Sequence, residues 1–113
     1  MAQRIARFTK VWNSFDVNQL QNHVTFSVPA GMVARVSAEK LTGTWSTGNL
    51  DFYRLAGGNR TEITGRTIAA GGGEELLEES DLQGTSEVEI YLDAANGSAA
   101  YARIAVVIEE PQA

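Results

Sequence analysis

Residues 42–63, TGTWSTGNLDFYRLAGGNRTEI, decide how this chain is read. They carry Trp45, Phe52 and Tyr53 between two glycine-containing turns, Thr47-Gly48-Asn49 and Gly57-Gly58-Asn59. Leu50 and Phe52 alternate with Asp51 and Tyr53, and a period of two puts successive side chains on opposite faces of a strand. Trp45 and Phe52 are therefore expected in a core, packed across a hairpin, and Tyr53 outside it. The stretch reads as strands and turns building their own interior rather than as a ligand platform.

The same alternation runs through the rest of the chain. Val24, Phe26 and Val28 oppose His23, Thr25 and Ser27, and Ala34, Val36 and Ala38 oppose Arg35, Ser37 and Glu39. Val88, Ile90 and Leu92 oppose Glu87, Glu89 and Tyr91. Ala102, Ile104, Val106 and Ile108 oppose Tyr101, Arg103 and Glu109. Turn residues fall between these segments at Pro29-Ala30-Gly31, Gly71-Gly72-Gly73 and Asn96-Gly97, the last being the strongest signal for a two-residue hairpin. Many short strands at such spacing predict an all-β fold, an antiparallel β-sandwich of about seven or eight strands, with a barrel as the alternative. "LDFYRLAGGN" (50–59) and "VEIYLDAANG" (88–97) echo each other, as expected of similar strands from the two sheets.

Two segments depart from the pattern. "GGGEELLEESDL" (71–82) is acidic and suits a glycine loop followed by a helical turn or an edge strand. In "RIARFTKVWNSF" (4–15), Ile5, Phe8, Trp12 and Phe15 recur at helical steps, yet Phe8 and Trp12 also share one side of a strand. The segment has Arg4, Arg7 and Lys10 and no acid before Asp16, whereas residues 74–110 hold ten acids and the single base Arg103. Residues 1–16 are accordingly read as a basic, aromatic N-terminal arm and residues 17–113 as the sandwich domain.

A chain of 113 residues is the size of one domain. Nine bases against fourteen acids give a formal charge of −5, which disfavours nucleic acid and anionic membranes as partners. The absence of cysteine excludes thiolate metal sites, disulfides and thiol nucleophiles. No stretch approaches the length of a membrane span, and the opening residues lack the apolar segment of a secretory signal.

Catalytic and metal chemistry find little to stand on. His23 is the lone histidine, on the polar phase of its strand and without converging partners. Glu74, Glu75, Glu78, Glu79 and Asp81 lack calcium-loop spacing and read as a solvated acidic loop or one facing a basic neighbour. There is no nucleophile elbow or phosphate loop, and the sequons at Asn59 and Asn96 read as turns. No enzyme activity, cofactor or metal is expected. Tyr53, Tyr91 and Tyr101 point away from the core and suit an ordinary exposed face, a subunit interface or a sugar-stacking platform.

The run from Gly43, Thr44 and Trp45 through Gly48, Leu50 and Phe52 to Gly57 and Gly58 resembles a pattern of small β-sandwich bacteriophage virion proteins. The strands in "LQGTSEVEIYLD" and "AYARIAVVI" resemble the final strand pair of those domains, so the similarity covers roughly residues 33–109. An aspartate–glycine turn and a downstream tryptophan of that pattern are missing; Ala56-Gly57-Gly58-Asn59 stands there instead. The resemblance implies a noncatalytic structural role in the virion. Capsid decoration or cement is the favoured form, with tail, fibre or head–tail placement and a carbohydrate- or receptor-binding module as alternatives. Its implied partners are the major capsid protein or other virion subunits and further copies of itself (a trimer is the expected oligomer), after assembly in the host cytoplasm. The contact residues expected from the chain are Arg4, Ile5, Arg7, Phe8, Lys10 and Trp12 of the arm, with Tyr53, Tyr91 and Tyr101.

Overall fold

The computed structural model of the chain describes residues 6–84 and 87–111. Eight strands appear among them: β1 (Ala6–Asp16), β2 (His23–Ser27), β3 (Val33–Gly43), β4 (Leu50–Ala56), β5 (Asn59–Ile68), β6 (Gly72–Leu77), β7 (Glu87–Leu92) and β8 (Ala100–Glu109). One short helical turn, α1 (Glu79–Leu82), precedes β7. The strands form two four-stranded antiparallel sheets, β1–β8–β3–β6 and β2–β7–β4–β5. The protein is an antiparallel β-sandwich.

Its connectivity follows from nested pairing. β4 pairs with β5, β3 with β6, β2 with β7 and β1 with β8, as in one long hairpin folded over on itself. The contacts β3·β8 and β4·β7 then close each sheet. This is the jelly-roll arrangement, two Greek keys shared between two sheets. Its tip lies in the stretch quoted at the outset: Ala56 pairs with Asn59 across Gly57 (φ 56°) and Gly58 (φ 85°), a two-residue turn that needs positive φ at both positions. A short turn here obliges the flanking strands to pair.

The alternation found in the sequence is the inside–outside pattern of the sandwich. Leu50, Phe52, Val88, Ile90 and Leu92 face Val36, Ile104, Val106 and Ile108 across the interior, and all are fully buried. Trp45 is buried at one end of the core, with its indole N–H donating to the Gly48 carbonyl at 2.9 Å. Burying side chains of this size is worth about 1.5–3 kcal/mol each, which is what sets the register of every strand.

Several expectations are corrected by the pairing. The N-terminal segment is no separate arm over Ala6–Asp16: it is the edge strand β1, hydrogen-bonded along β8, with Phe15 in the core. Apolar side chains on one phase of β1 complete a sheet that would otherwise end at β8. Asn96-Gly97 is not a hairpin turn, because β7 and β8 lie in different sheets. Thr47-Gly48-Asn49 likewise sits in a crossover between sheets. The two echoing segments are not from opposite sheets but are β4 and β7, direct neighbours in one. Gly72 and Gly73, read as loop, belong to β6, where Gly72 pairs with Glu39. The acidic stretch as a whole supplies both an edge strand and the α1 turn.

Candidate interaction surface

The outer face of the β2–β7–β4–β5 sheet brings together two tyrosines, an arginine and several acids. Register places Tyr91 beside Asp51 and Tyr53 beside Glu89. The two tyrosine rings meet edge to face, with centroids 5.8 Å apart. Arg60, which the two-residue turn sets opposite Leu55, reaches diagonally over this pair. Its guanidinium carbon lies 3.8 Å from the Tyr53 ring centroid and 4.2 Å from that of Tyr91, and its Nε donates to Glu89 at 2.6 Å. Arg60 thus staples β5, β4 and β7 together across their outer face.

Electrostatics follow from this packing. Burial pushes the Tyr53 hydroxyl above its ordinary value, against the opposing pull of the Arg60 charge. Partial burial works against the charge of Arg60, but the hydrogen bond and charge of Glu89 outweigh it and hold the proton more tightly. Asp51 is raised chiefly by burial; the Thr67 hydroxyl at 3.0 Å pulls it down, and the charges of Asp93 and Glu62 push it up. The face is acidic, and its one arginine is already paired. Both tyrosine rings are covered by the guanidinium, so a sugar stacks on them only if Arg60 moves aside.

The other expected contact residues are dispersed. Tyr101, 38% exposed, lies on the outer face of the opposite sheet, paired with Asp16 and Thr42. Phe8 (45% exposed), Lys10 and Trp12 share the inward phase of β1, at the rim of the sandwich. Trp12 packs against the core, and the Lys10 ammonium stands 5.2 Å from its ring centroid. Arg7 lies within β1, and Arg4 and Ile5 lie outside the described residues.

His23 is exposed, its Nδ1 3.2 Å from the Gln21 carbonyl oxygen. Among the described residues no group of three or more histidine or acidic side chains is arranged to hold a metal. The acidic stretch turns instead to arginines. A bulge in β5, where residues 63–66 loop out between the pairs Asp51–Thr67 and Tyr53–Glu62, re-aims Arg66 into the side of the sandwich. There it meets Asp81 at 3.0 Å, Glu75 at 3.2 Å and Glu78 at 3.2 Å. The Asp81 hydrogen bond, opposed by partial burial, raises the pKa of Arg66. Arg54 donates to the Asp81 carbonyl at 2.8 Å, and Arg35 pairs with Glu74 and Glu109. Two surface depressions, about 140 Å³ beside Met32 and Leu82 and about 180 Å³ beside Arg54 and Ser80, are smaller than the roughly 300–1,000 Å³ of small-molecule sites.

Sequence reasoning placed Glu89 on the outward phase with Tyr91 but missed its partner Arg60 and the buried role of Asn96. The register of the Gly57-Gly58 turn alone would have placed Arg60 on the tyrosine face. Asn96 had no comparable signal: it is buried, takes hydrogen bonds from Ser46 N–H and Thr47 N–H, and donates to the Thr44 and Ser98 carbonyls.

No family model matches the chain, and no curated protein matches it by sequence. Among solved structures it is similar to the VP2 subviral particle of infectious bursal disease virus, with a TM-score of 0.36 and 11% identity. The match covers 90% of this chain and 33% of that one, so the chain spans about a third of its length. At these values the likeness carries nothing about what the chain does.

Proposed function

We propose that this chain is a noncatalytic structural protein of a virion, of the capsid decoration or cement type. The observation that supports the reading is the nested strand order β1–β8–β3–β6 over β2–β7–β4–β5, an architecture that viral capsid domains share with lectins and cupins. Fold alone does not assign function, and the resemblance of residues 33–109 to small phage virion proteins is what favours the virion among these. In this role the protein binds the major capsid protein or other virion subunits, as a homo-oligomer, and stabilises the shell by adding buried area that exists only in the assembled state. Among the exposed apolar side chains, Phe8 at the β1 rim is the one offered for the contact.

The test is co-sedimentation of the purified protein with isolated phage heads and, separately, with tails. Saturable pelleting with heads and a higher temperature of shell opening is the expected result, weakened by Phe8→Ser. Removing residues 2–12 is unsuitable, since it deletes seven of the eleven residues of an integral strand. Pelleting with tails alone moves the protein to a tail or fibre role, and pelleting with neither refutes the virion reading.

The lectin-like use of the same architecture supports a second reading, a carbohydrate- or receptor-binding module acting through Tyr53 and Tyr91. Arg60 over both rings weighs against it. A tyrosine and tryptophan fluorescence titration with a glycan panel separates the two, a flat response removing the module.

A further inference from the structure

We infer that the outer face of the β1–β8–β3–β6 sheet is a contact between two copies of this chain, related by a two-fold axis along the strands between β8 and β3. This stands on the sheet alone and holds whether or not the protein sits on a particle.

The two outer faces of the sandwich differ in kind. On the β2–β7–β4–β5 face Arg60 of the edge strand β5 is consumed within the chain, by Glu89 and two tyrosines. On the other face the middle is small and aliphatic. Val11, Ala105 and Ser37 lie level across β1, β8 and β3, Glu74 ends that row on β6 where Arg35 pairs with it, and Val107 follows on the next level. These side chains are only half-buried by their own neighbours. An apolar strip bordered by charge is the composition of an interface core and rim.

The border identifies the occupant. Arg103 and Glu39 stand side by side at one level of the two central strands, both exposed. Neither side chain has a hydrogen bond or ion pair among the described residues, in contrast to Arg35, Arg60 and Arg66. A two-fold axis running between β8 and β3 sets each Arg103 over the Glu39 of the other copy, making two ion pairs in one contact. The same operation lays Ala105 over the second Ser37 beside the axis, where small side chains let two sheets approach to the roughly 10 Å of face-to-face packing. Val107 then meets the aliphatic stem of Arg35, Tyr101 meets Thr42, and at the margin Val11 meets the stem of Glu74, whose carboxylate stays with Arg35. The face is complementary to itself, as an isologous contact requires. A two-fold contact closes at a dimer, in place of the trimer expected from the virion resemblance.

Light scattering of the purified chain over a range of concentrations tests this. The expected mass is twice the 12.2 kDa of the chain. Arg103→Glu and Glu39→Arg, each with an unaltered circular dichroism spectrum, are expected to weaken the dimer at least about tenfold, by setting like charges against one another across the axis. The double variant is expected to recover it, because the pairs reform with their signs exchanged. A monomeric or trimeric wild type overturns the inference. So does a single variant that stays dimeric at wild-type concentrations, or a double variant no tighter than the singles. Particle co-sedimentation is read independently of all three.

Discussion

Replacing Asn96 by alanine should loosen one whole end of the sandwich. Its Oδ1 accepts from Ser46 N–H at 2.9 Å and Thr47 N–H at 3.0 Å, and its Nδ2 donates to the carbonyls of Thr44 at 2.6 Å and Ser98 at 2.9 Å. The residue is 8% exposed, so few of these groups find water when the side chain is cut back. A net hydrogen bond is worth about 1 kcal/mol, and an abandoned buried group costs more. Four such bonds, with partial solvent rescue, amount to about 2–4 kcal/mol out of the roughly 5–15 kcal/mol that holds a domain of this size. At about 4 °C per kcal/mol the Tm falls by roughly 8–16 °C. Urea unfolding followed by tryptophan fluorescence measures it well, since Trp45 sits in the loop that Asn96 holds. Asn96→Asp keeps the acceptor but turns a carboxylate oxygen toward two carbonyls, and at neutral pH should cost at least as much. A cost within about 0.5 kcal/mol for Asn96→Ala, the size of an ordinary surface substitution, would refute the idea that one side chain ties the crossover loops together.

Further outcomes follow from the same geometry. Because Asp51 holds its proton more tightly folded than unfolded, its ionisation withdraws stability as pH rises from its ordinary 3.8 through the raised value. Asp51→Asn, which keeps an oxygen for the Thr67 hydroxyl, should therefore raise the urea midpoint at about pH 7 and leave it nearly unchanged at about pH 3; a lower midpoint at neutral pH contradicts the assignment. Gly48→Ala should be far worse than Gly57→Ala. An alanine Cβ at position 48 overlaps the Ala94 carbonyl oxygen, whereas at position 57 it meets open space and only the positive φ, worth about 1–2 kcal/mol, is charged against it. Equal midpoints for the two variants would show that the approach of the β3–β4 crossover to Ala94 is not tight.

The charged groups show how far local rules reach. Counting acids in residues 74–81 says that they need cations or water, and the structure supplies Arg66 and Arg35. Nothing in the local sequence selects Arg66, because its aim depends on a bulge in β5, and that bulge exists only in the pairing of β5 with β4. The tyrosines are similar. Their outward phase was legible, but that Tyr53 and Tyr91 meet, and that Tyr101 stands on the far side of the molecule, depends on which strands are neighbours.

By itself the amino-acid order determined the quantities that arise between adjacent residues: which side chains alternate inward, where glycines permit a reversal, and that Trp45 and Phe52 belong to a core. Those rest on backbone geometry and on the cost of leaving apolar surface in water, both of which act over a few residues. Partner choice is another matter. Whether β7 continues into β8 as a hairpin or crosses to the other sheet, and whether residues 6–16 hang free or complete a sheet, is settled by summing burial over strands remote along the chain. Only the folded molecule performs that sum, which is why Asn96 emerged as a buried clasp where the sequence suggested an exposed turn.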